Sequence, residues 1–492
     1  MIDRALLGGA LARTLPSFLP GRRWYGAKAR ALASVALEDA AWLGADGGAE
    51  ALAVVAARYE DGGTERYALL VALRDDPRDL PVLGRYDGTD ASPWLVEATG
   101  DPAALALLLA RFDDPGDVPT REGVLRIGDV VPPAGAANGW MAAAIAEGLR
   151  PLGVEQSNTS VRVGRRLVWK LLRRVESGEN PEVEIGRFLT TRTTFRAVPA
   201  LRGSATLLRA GSSPVTVGVL QDWIENEGDG WSWTIERLRG ILGGEEPAER
   251  LAAEIAGLGR VTADFHLAIS SDPDVAGFAP EPPSLRDWES LHASILARCD
   301  RVAASLDRAE ARLEEPERAA AQAFLRRRDE LASRLPAPDR ADAIPFRAIR
   351  VHGDYHLGQT LKVSSGFLLI DFEGEPARPL AERRRPQSAL KDVAGMLRSF
   401  DYAWEVARAG LAAPETPPPD LLRAPFLESY RARVLRAPLP IVPGNPERFR
   451  EWISVYELDK ALYEVEYELN HRPTWLGIPL RGVLATLDRM GS

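Results

Sequence analysis

The period of the apolar positions changes near residue 231. Before it, short apolar runs dominate. ASVALEDAAWL and EALAVVAARYE fall within the first 110 residues, the second followed by the hairpin-like DGG at 61–63, and VLRIGDVV follows near 124–131. LRPLGVEQSNTSVRVGRRLVWKLLRRV predicts three strands, at about 149–155, 160–163 and 166–173, with turns at QSNTS and GRR. VTVGVLQDWI predicts a buried strand over 215–224. After residue 231, apolar residues recur at helical spacing over 246–268, 284–312, 315–335, 387–409 and 447–470. Two strand-like pieces, RAIRVHGD and GFLLIDFEG, interrupt this region, and the Pro-rich segments 279–284 and 411–419 read as loops. The pattern predicts an α+β protein with a mixed sheet lobe ahead of a mainly helical lobe. Its parts are 1–110, 111–224 and 225–492.

Composition narrows the function classes. A formal charge of −9 disfavours a large nucleic-acid surface. The single cysteine, Cys299, excludes an internal disulfide or a cysteine-based metal cluster, and its helical setting SILARCDRV reads as packing. Neither a signal-peptide pattern nor an apolar run of membrane-spanning length is present, so a cytoplasmic location with no membrane partner is expected.

The segment RVHGDYHLGQTLKVSSGFLLIDFEGEPARP carries the strongest chemical signal. Phosphoryl transfer needs an oriented acceptor hydroxyl and metal ions across the phosphate oxygens. A carboxylate just after a strand, Asp354, can accept the hydroxyl proton. An amide oxygen five residues on, Gln359, and a carboxylate closing the next strand, Asp371, form a hard-oxygen pair for magnesium. Gln stands where kinase catalytic loops carry Asn, keeping the donor oxygen on a longer arm. His352 is expected to brace the loop and is grouped with the acceptor-facing residues; His356 reads as structural. Glu373 is a second metal ligand or an acceptor contact. Arg378 reaches the acceptor, or a phosphate, or else a loop carboxylate. Asp392, at a helix start, braces the catalytic loop or merely caps its helix.

The first lobe reads as a nucleotide site for ATP. Lys170 on a strand can reach phosphates, with Glu184 as its preferred partner and Glu182 as the rival. Ser157, Asn158, Thr159 and Ser160 form a turn that either offers amides and hydroxyls to phosphates or is a plain hairpin. Gln221 and Trp223 lie where a hinge would hold adenine. In the last long helix, Lys460, Tyr463 and Tyr467 share a face and suit a sugar, against the alternative of core tyrosines. Trp231 and Trp233 read as packing. The first 110 residues carry no nameable chemistry, and RRWYGAK within them reads as structure or interface.

Several long strings then point to a family. LPSFLPGRRWYGAKAR, QSNTSV, KLLRRVESGENPEVEIGRFLT, GDGWSWT, VHGDYHLGQTL, IDFEGEPARPLAERR, KDVAGMLRSFDYA and LDKALYEVEYELNHRPTWLGIPLRG resemble the bacterial maltokinases, including the kinase portion fused to trehalose synthases. The resemblance implies a bilobal fold similar to protein kinases and aminoglycoside phosphotransferases, with an N-terminal cap subdomain. It implies ATP-dependent, magnesium-assisted phosphorylation of the anomeric hydroxyl of maltose, giving maltose 1-phosphate for α-glucan synthesis, and association with trehalose synthase. It assigns Asp354, Gln359, Asp371 and Lys170 to the family's roles. Two rivals stand beside it: the same chemistry on another sugar such as glucosamine, and a pseudokinase that only binds.

Overall fold

The computed structural model describes residues 2–44, 48–153, 158–337, 344–411, 418 and 420–491. The chain forms two compact units, Met1–Thr190 with Pro199–Ile224, and Thr191–Val198 with Glu225–Ser492.

The first unit opens with α1 (Arg4–Phe18), whose buried Leu7, Ala10, Leu11 and Leu15 make one stripe. It packs on a six-stranded antiparallel sheet in the order β1 (Leu32–Trp42), β2 (Glu50–Tyr59), β3 (Thr64–Arg74), with β4 (Val82–Arg85) and β5 (Trp94–Glu97) beyond β3. Strand β2 reads as a continuous apolar run because both its faces are buried. Ala51, Ala53 and Val55 meet the core under α1, and Leu52 and Val54 meet the core on the other side. Trp24 and Tyr25 of RRWYGAK are buried in the α1 core, which makes that segment structural.

After α2 (Pro102–Leu109), a seven-stranded sheet is built from β6 (Asp117–Pro119), β7 (Gly123–Gly128), β8 (Leu149–Pro151), β9 (Asn158–Val163), β10 (Leu167–Leu172), β12 (Leu201–Arg209) and β13 (Val215–Asp222). The helices α3 (Trp140–Ala146) and α4 (Pro181–Arg192) accompany it, and the short β11 (Arg174–Val175) pairs with β3 of the other sheet. Strand β10 lies between β13 and β9. Gly218 opposite it has no room for a side chain, since a Cβ there would come 2.1 Å from the Trp169 indole.

A buried cation ties the two sheets. The Arg173 guanidinium, 1% exposed, donates to Glu97 at 2.9 Å, to Thr99 Oγ1 at 2.9 Å and to Thr159 Oγ1 at 2.7 Å. All three partners are needed, because an unpaired buried charge is far more costly than a paired one.

The second unit is mainly helical: α5 (Gly230–Leu242), α6 (Ala248–Ile269), α7 (Leu285–Ala309), α8 (Glu315–Arg327), α9 (Glu330–Arg334), α10 (Leu380–Arg383), α11 (Leu390–Arg408), α12 (Arg423–Val434), α13 (Pro446–His471) and α14 (Gly477–Gly491). The one hairpin among its described residues is β14 (Thr360–Val363) with β15 (Gly366–Leu369). Ser284 and Asn445 cap α7 and α13, accepting backbone N–H groups from Asp287 at 3.2 Å and from Glu447 at 2.8 Å, which fixes the helix starts close to where periodicity predicts them. The helix expected over 315–335 is two, α8 and α9. Trp233 packs edge-on against Phe367 at 5.6 Å, as a packing residue should.

RAIRVHGD is not a strand. Ala348 and Ile349 make isolated bridges to Glu281 and Gln387, and the following N–H groups turn to a side chain instead of a neighbouring strand. Among the described residues no helix is long and apolar enough to cross a membrane.

Arg173→Met should destabilise the first unit by about 3–5 kcal/mol, because it strands the buried Glu97 carboxylate. Urea unfolding of wild type and variant reads this directly. A midpoint shift too small to represent 1 kcal/mol would show that the network carries no stability.

Candidate active site

The catalytic-loop residues sit in the second unit, and one carboxylate holds them. Asp392, on the first turn of α11, is 1% exposed. Its Oδ2 accepts the N–H of His352 at 2.7 Å and its Oδ1 accepts that of Gly353 at 2.9 Å. His266 on α6 meets Oδ2 at 3.1 Å through Nε2, while its Nδ1 lies 2.9 Å from the Tyr430 hydroxyl. Burial would raise the Asp392 pKa, but His266, His352 and the Gly353 N–H together hold it below the usual carboxylate value. The bracing reading of Asp392 fits this geometry, because its oxygens go to the loop and to His266.

The loop backbone depends on glycines at two places. Gly353 has φ +88°, a conformation that L side chains rarely adopt. Gly395 lets α11 approach the loop: a Cβ there would lie 2.5 Å from the Tyr355 carbonyl oxygen. Tyr355 itself is buried, its hydroxyl 2.8 Å from Thr262.

His352 is buried, and its Nε2–H donates to the Ile370 carbonyl at 2.9 Å. It therefore braces the loop against the segment that precedes Asp371 and is not among the residues lining the pocket beside the loop, which sets it apart from the expected acceptor contacts. His356 accepts the Gly358 N–H at 3.1 Å and is structural, with burial pushing its pKa down.

Gln359 and Asp371 are brought together by the hairpin. Thr360 pairs with Leu369, and one step outward the Ile370 N–H donates to the Gln359 carbonyl at 3.0 Å. Asp371 has φ +66°, a strained conformation for a non-glycine residue and a common mark of functional positions. An amide oxygen and a carboxylate suit magnesium, which usually takes one or two protein oxygens and completes its shell with phosphate and water. Among the described residues no group of three or more His, Cys, Asp or Glu side chains is placed to hold a metal. Glu373 contributes its carbonyl to Arg383 at 2.8 Å, and it is not among the residues that line the pocket beside the loop.

Beside the loop is a pocket. Asp354, Lys460, Tyr463 and Arg378 of the sequence reading line it. The Lys460 ammonium is 3.7 Å from Asp354 and 5.1 Å from the Tyr463 ring centre. Burial works to lower the Lys460 pKa, but the charges of Asp354, Glu464 and Glu375 prevail and hold it above the ordinary lysine value. Arg378 makes the loop-carboxylate contact, donating to Glu375 at 2.8 Å, and also lines the pocket.

Tyr467 is not in the pocket. It is 42% exposed and stacks on His471 at 4.5 Å, because seven residues along a helix keep a face but move two turns along the axis. Sequence reasoning missed Lys391, Asp459, Tyr456 and Arg298, which also line the pocket. Asp459 and Tyr456 were legible as neighbours of Lys460 on one helix, and Lys391 as the neighbour of Asp392. Arg298 arrives from α7 with no local signal.

The candidate nucleotide residues lie in the first unit. Lys170 is paired with Glu182 at 3.0 Å, the carboxylate that the sequence reading placed second to Glu184. Helix α4 explains the choice. Glu182 is in its first turn, its N–H held by Asn180 Oδ1 at 2.8 Å, and its Oε1 also accepts from the Gln221 amide at 2.9 Å. Asn158, Thr159 and Ser160 belong to strand β9, not to a turn, and pair with Leu172, Leu171 and Lys170. Thr159 is further committed to Arg173. Ser157 lies outside the described residues. The N–H groups of Asp222 and Trp223 donate to Ala200 and Arg166, so of the two positions expected to form the adenine hinge, Gln221 and Trp223, the second has its N–H committed within the protein. Trp223 lies under the Arg162 guanidinium at 4.6 Å.

Residues 18–101 match the family described as the maltokinase N-terminal cap domain. The chain is similar to a glucosamine kinase of Mycolicibacterium smegmatis, 26% identical over 88% of this chain and 98% of that one. It is likewise similar to a glucosamine kinase of Streptacidiphilus jiangxiensis, 26% identical over 81% and 86%. A solved glucosamine kinase in complex with glucosamine, ADP and inorganic phosphate matches with a TM-score of 0.64 at 22% identity, covering 97% of this chain and 98% of that one. Another crystal form of glucosamine kinase matches with a TM-score of 0.63 over 99% of both chains. The fold is therefore that of a bilobal kinase with an N-terminal cap, as the sequence predicts.

Asp392→Asn should cost about 3 kcal/mol at neutral pH by weakening charged hydrogen bonds to two backbone N–H groups. The folded-state pKa of Asp392 is depressed, so its contribution is complete above the ordinary carboxylate value and is lost as pH falls through the depressed one. The stability gap between wild type and variant, measured by urea midpoints across acid pH, should shrink accordingly. A gap independent of pH would contradict the charged anchor.

Proposed function

We propose that this chain is an ATP-dependent sugar kinase that transfers the γ-phosphoryl group to a hydroxyl of a small sugar. The observation that carries the reading is the placement of Asp354, on a loop held by Asp392, in one pocket with Lys460 and Tyr463. Asp354 accepts the proton of the acceptor hydroxyl and orients its oxygen for in-line attack. Lys460 positions Asp354 from 3.7 Å away. Tyr463 offers the flat apolar face that a sugar ring needs, with a hydroxyl beside it. Magnesium, for which Gln359 and Asp371 are the oxygen donors, neutralises phosphate charge when bound. Lys170, fixed by Glu182, is the point charge for the nucleotide phosphates.

Two acceptors have support. Relatives matched over more than four fifths of this chain carry the name glucosamine kinase. The cap family matched by residues 18–101 is named for maltokinases, and the helix carrying Lys460 and Tyr463 belongs to the maltokinase-like strings. The second reading makes the product maltose 1-phosphate, a glucosyl donor precursor for α-glucan synthesis, and a trehalose synthase a natural partner as the source of maltose.

Asp354→Asn should lower kcat by about 10²–10⁴-fold with ATP affinity little changed. Wild-type turnover in that variant would remove Asp354 from its role. A coupled ADP-release assay with maltose, glucosamine and glucose should show sugar-dependent turnover with at least one of them. Nucleotide binding without ADP release for any sugar would favour a catalytically silent binding module.

A further inference from the structure

The carboxylates that line the acceptor pocket each face a cation already. Glu375 accepts from Arg378 at 2.8 Å, Asp459 accepts from Arg298, and Asp354 faces Lys460 at 3.7 Å. Lys391 adds a further ammonium group to the same lining. Its Nζ donates to the neutral amide oxygen of Gln387 at 2.8 Å, and among the described residues no carboxylate lies within ion-pair distance of it. An ammonium carries three donors, and the amide oxygen uses one. Lys391 is held in place, at the start of the same helix whose Asp392 anchors the catalytic loop, so its position is coupled to that of the reacting group.

We propose that Lys391 sets the charge class of the acceptor: its ammonium donates to the hydroxyl oxygens of a neutral sugar and repels a protonated amino sugar. This rests on the reading of the pocket as the acceptor site of a sugar kinase. The selectivity is a difference of affinities built from one attractive and one repulsive contribution. A hydroxyl oxygen has lone pairs for the remaining Lys391 donors. A sugar ammonium has none, and it finds the pocket carboxylates already matched by cations. Two like charges a few ångströms apart in a partly desolvated pocket separate the two sugar classes by about ten- to a hundredfold. Arg378 cannot do this, because its charge is matched by Glu375.

The test compares glucose with glucosamine, which differ only in the hydroxyl or amine at C2, with maltose as a larger neutral probe. Affinities are measured by calorimetry at a pH where the amine is protonated, so the readout does not require turnover. Wild type should bind the neutral sugars more tightly than glucosamine. Lys391→Gln and Lys391→Met, two variants in case one fails to fold, should weaken the neutral sugars and bring the affinity ratio of glucose to glucosamine at least about tenfold closer to equality. Lys391→Arg, which keeps the charge, should keep the wild-type ratio. An unchanged ratio in the uncharged variants, or tighter wild-type binding of protonated glucosamine, overturns the role of Lys391. Absence of ADP release with every sugar, alongside the expected affinity ratios, would instead overturn the kinase reading and leave Lys391 as the selector of a sugar-binding site.

Discussion

The N–H groups of His352 and Gly353 leave the core region with no strand to pair with. A buried unpaired backbone donor is costly, and here one side chain removes the cost of two. The Asp392 carboxylate takes both, and His266 and Tyr430 fix it from the other side. The position of Asp354 follows from that of Gly353 beside it. The position of Lys391 follows from the same helix turn. Gly395, one turn further along, lets the helix come close enough to touch the loop backbone. Asp354, Lys391 and the loop geometry thus share a single anchor on α11.

This dependence explains which parts of the protein were legible in its residues. Helix starts at Ser284 and Asn445 were readable because a capping side chain acts on N–H groups two or three residues away. Gln359 and Asp371 were readable because a short hairpin joins them. RAIRVHGD was misread as a strand because its apolar alternation is genuine, while its N–H partner is a side chain 39 or 40 positions away. Glu182 and Glu184 could not be ranked from the sequence. Their order is decided by Gln221, which a different strand brings to the Glu182 carboxylate. Thr159 was placed in a turn because small polar residues favour turns, but Arg173 recruits its hydroxyl into a network with Glu97 and Thr99.

The pocket beside the loop shows the same division. Lys460 and Tyr463 share a helix face over three residues, which a sequence displays. Tyr467 shares the face but not the location, since axial distance matters as much as angle. Arg298 and Lys391 come from other helices, and with them comes the charge balance of the pocket. That balance can be read only from the assembled site.

In the proposed reading this pocket transfers phosphate to a sugar and does not merely hydrolyse or bind ATP. Phosphorus NMR of the protein with magnesium, ATP and a sugar tests it most directly. The expected result is a new phosphate-ester resonance, coupled to the sugar, that grows in step with ADP and disappears in Asp354→Asn. ADP accompanied only by inorganic phosphate, or an unchanged ATP spectrum with every sugar tried, would contradict it.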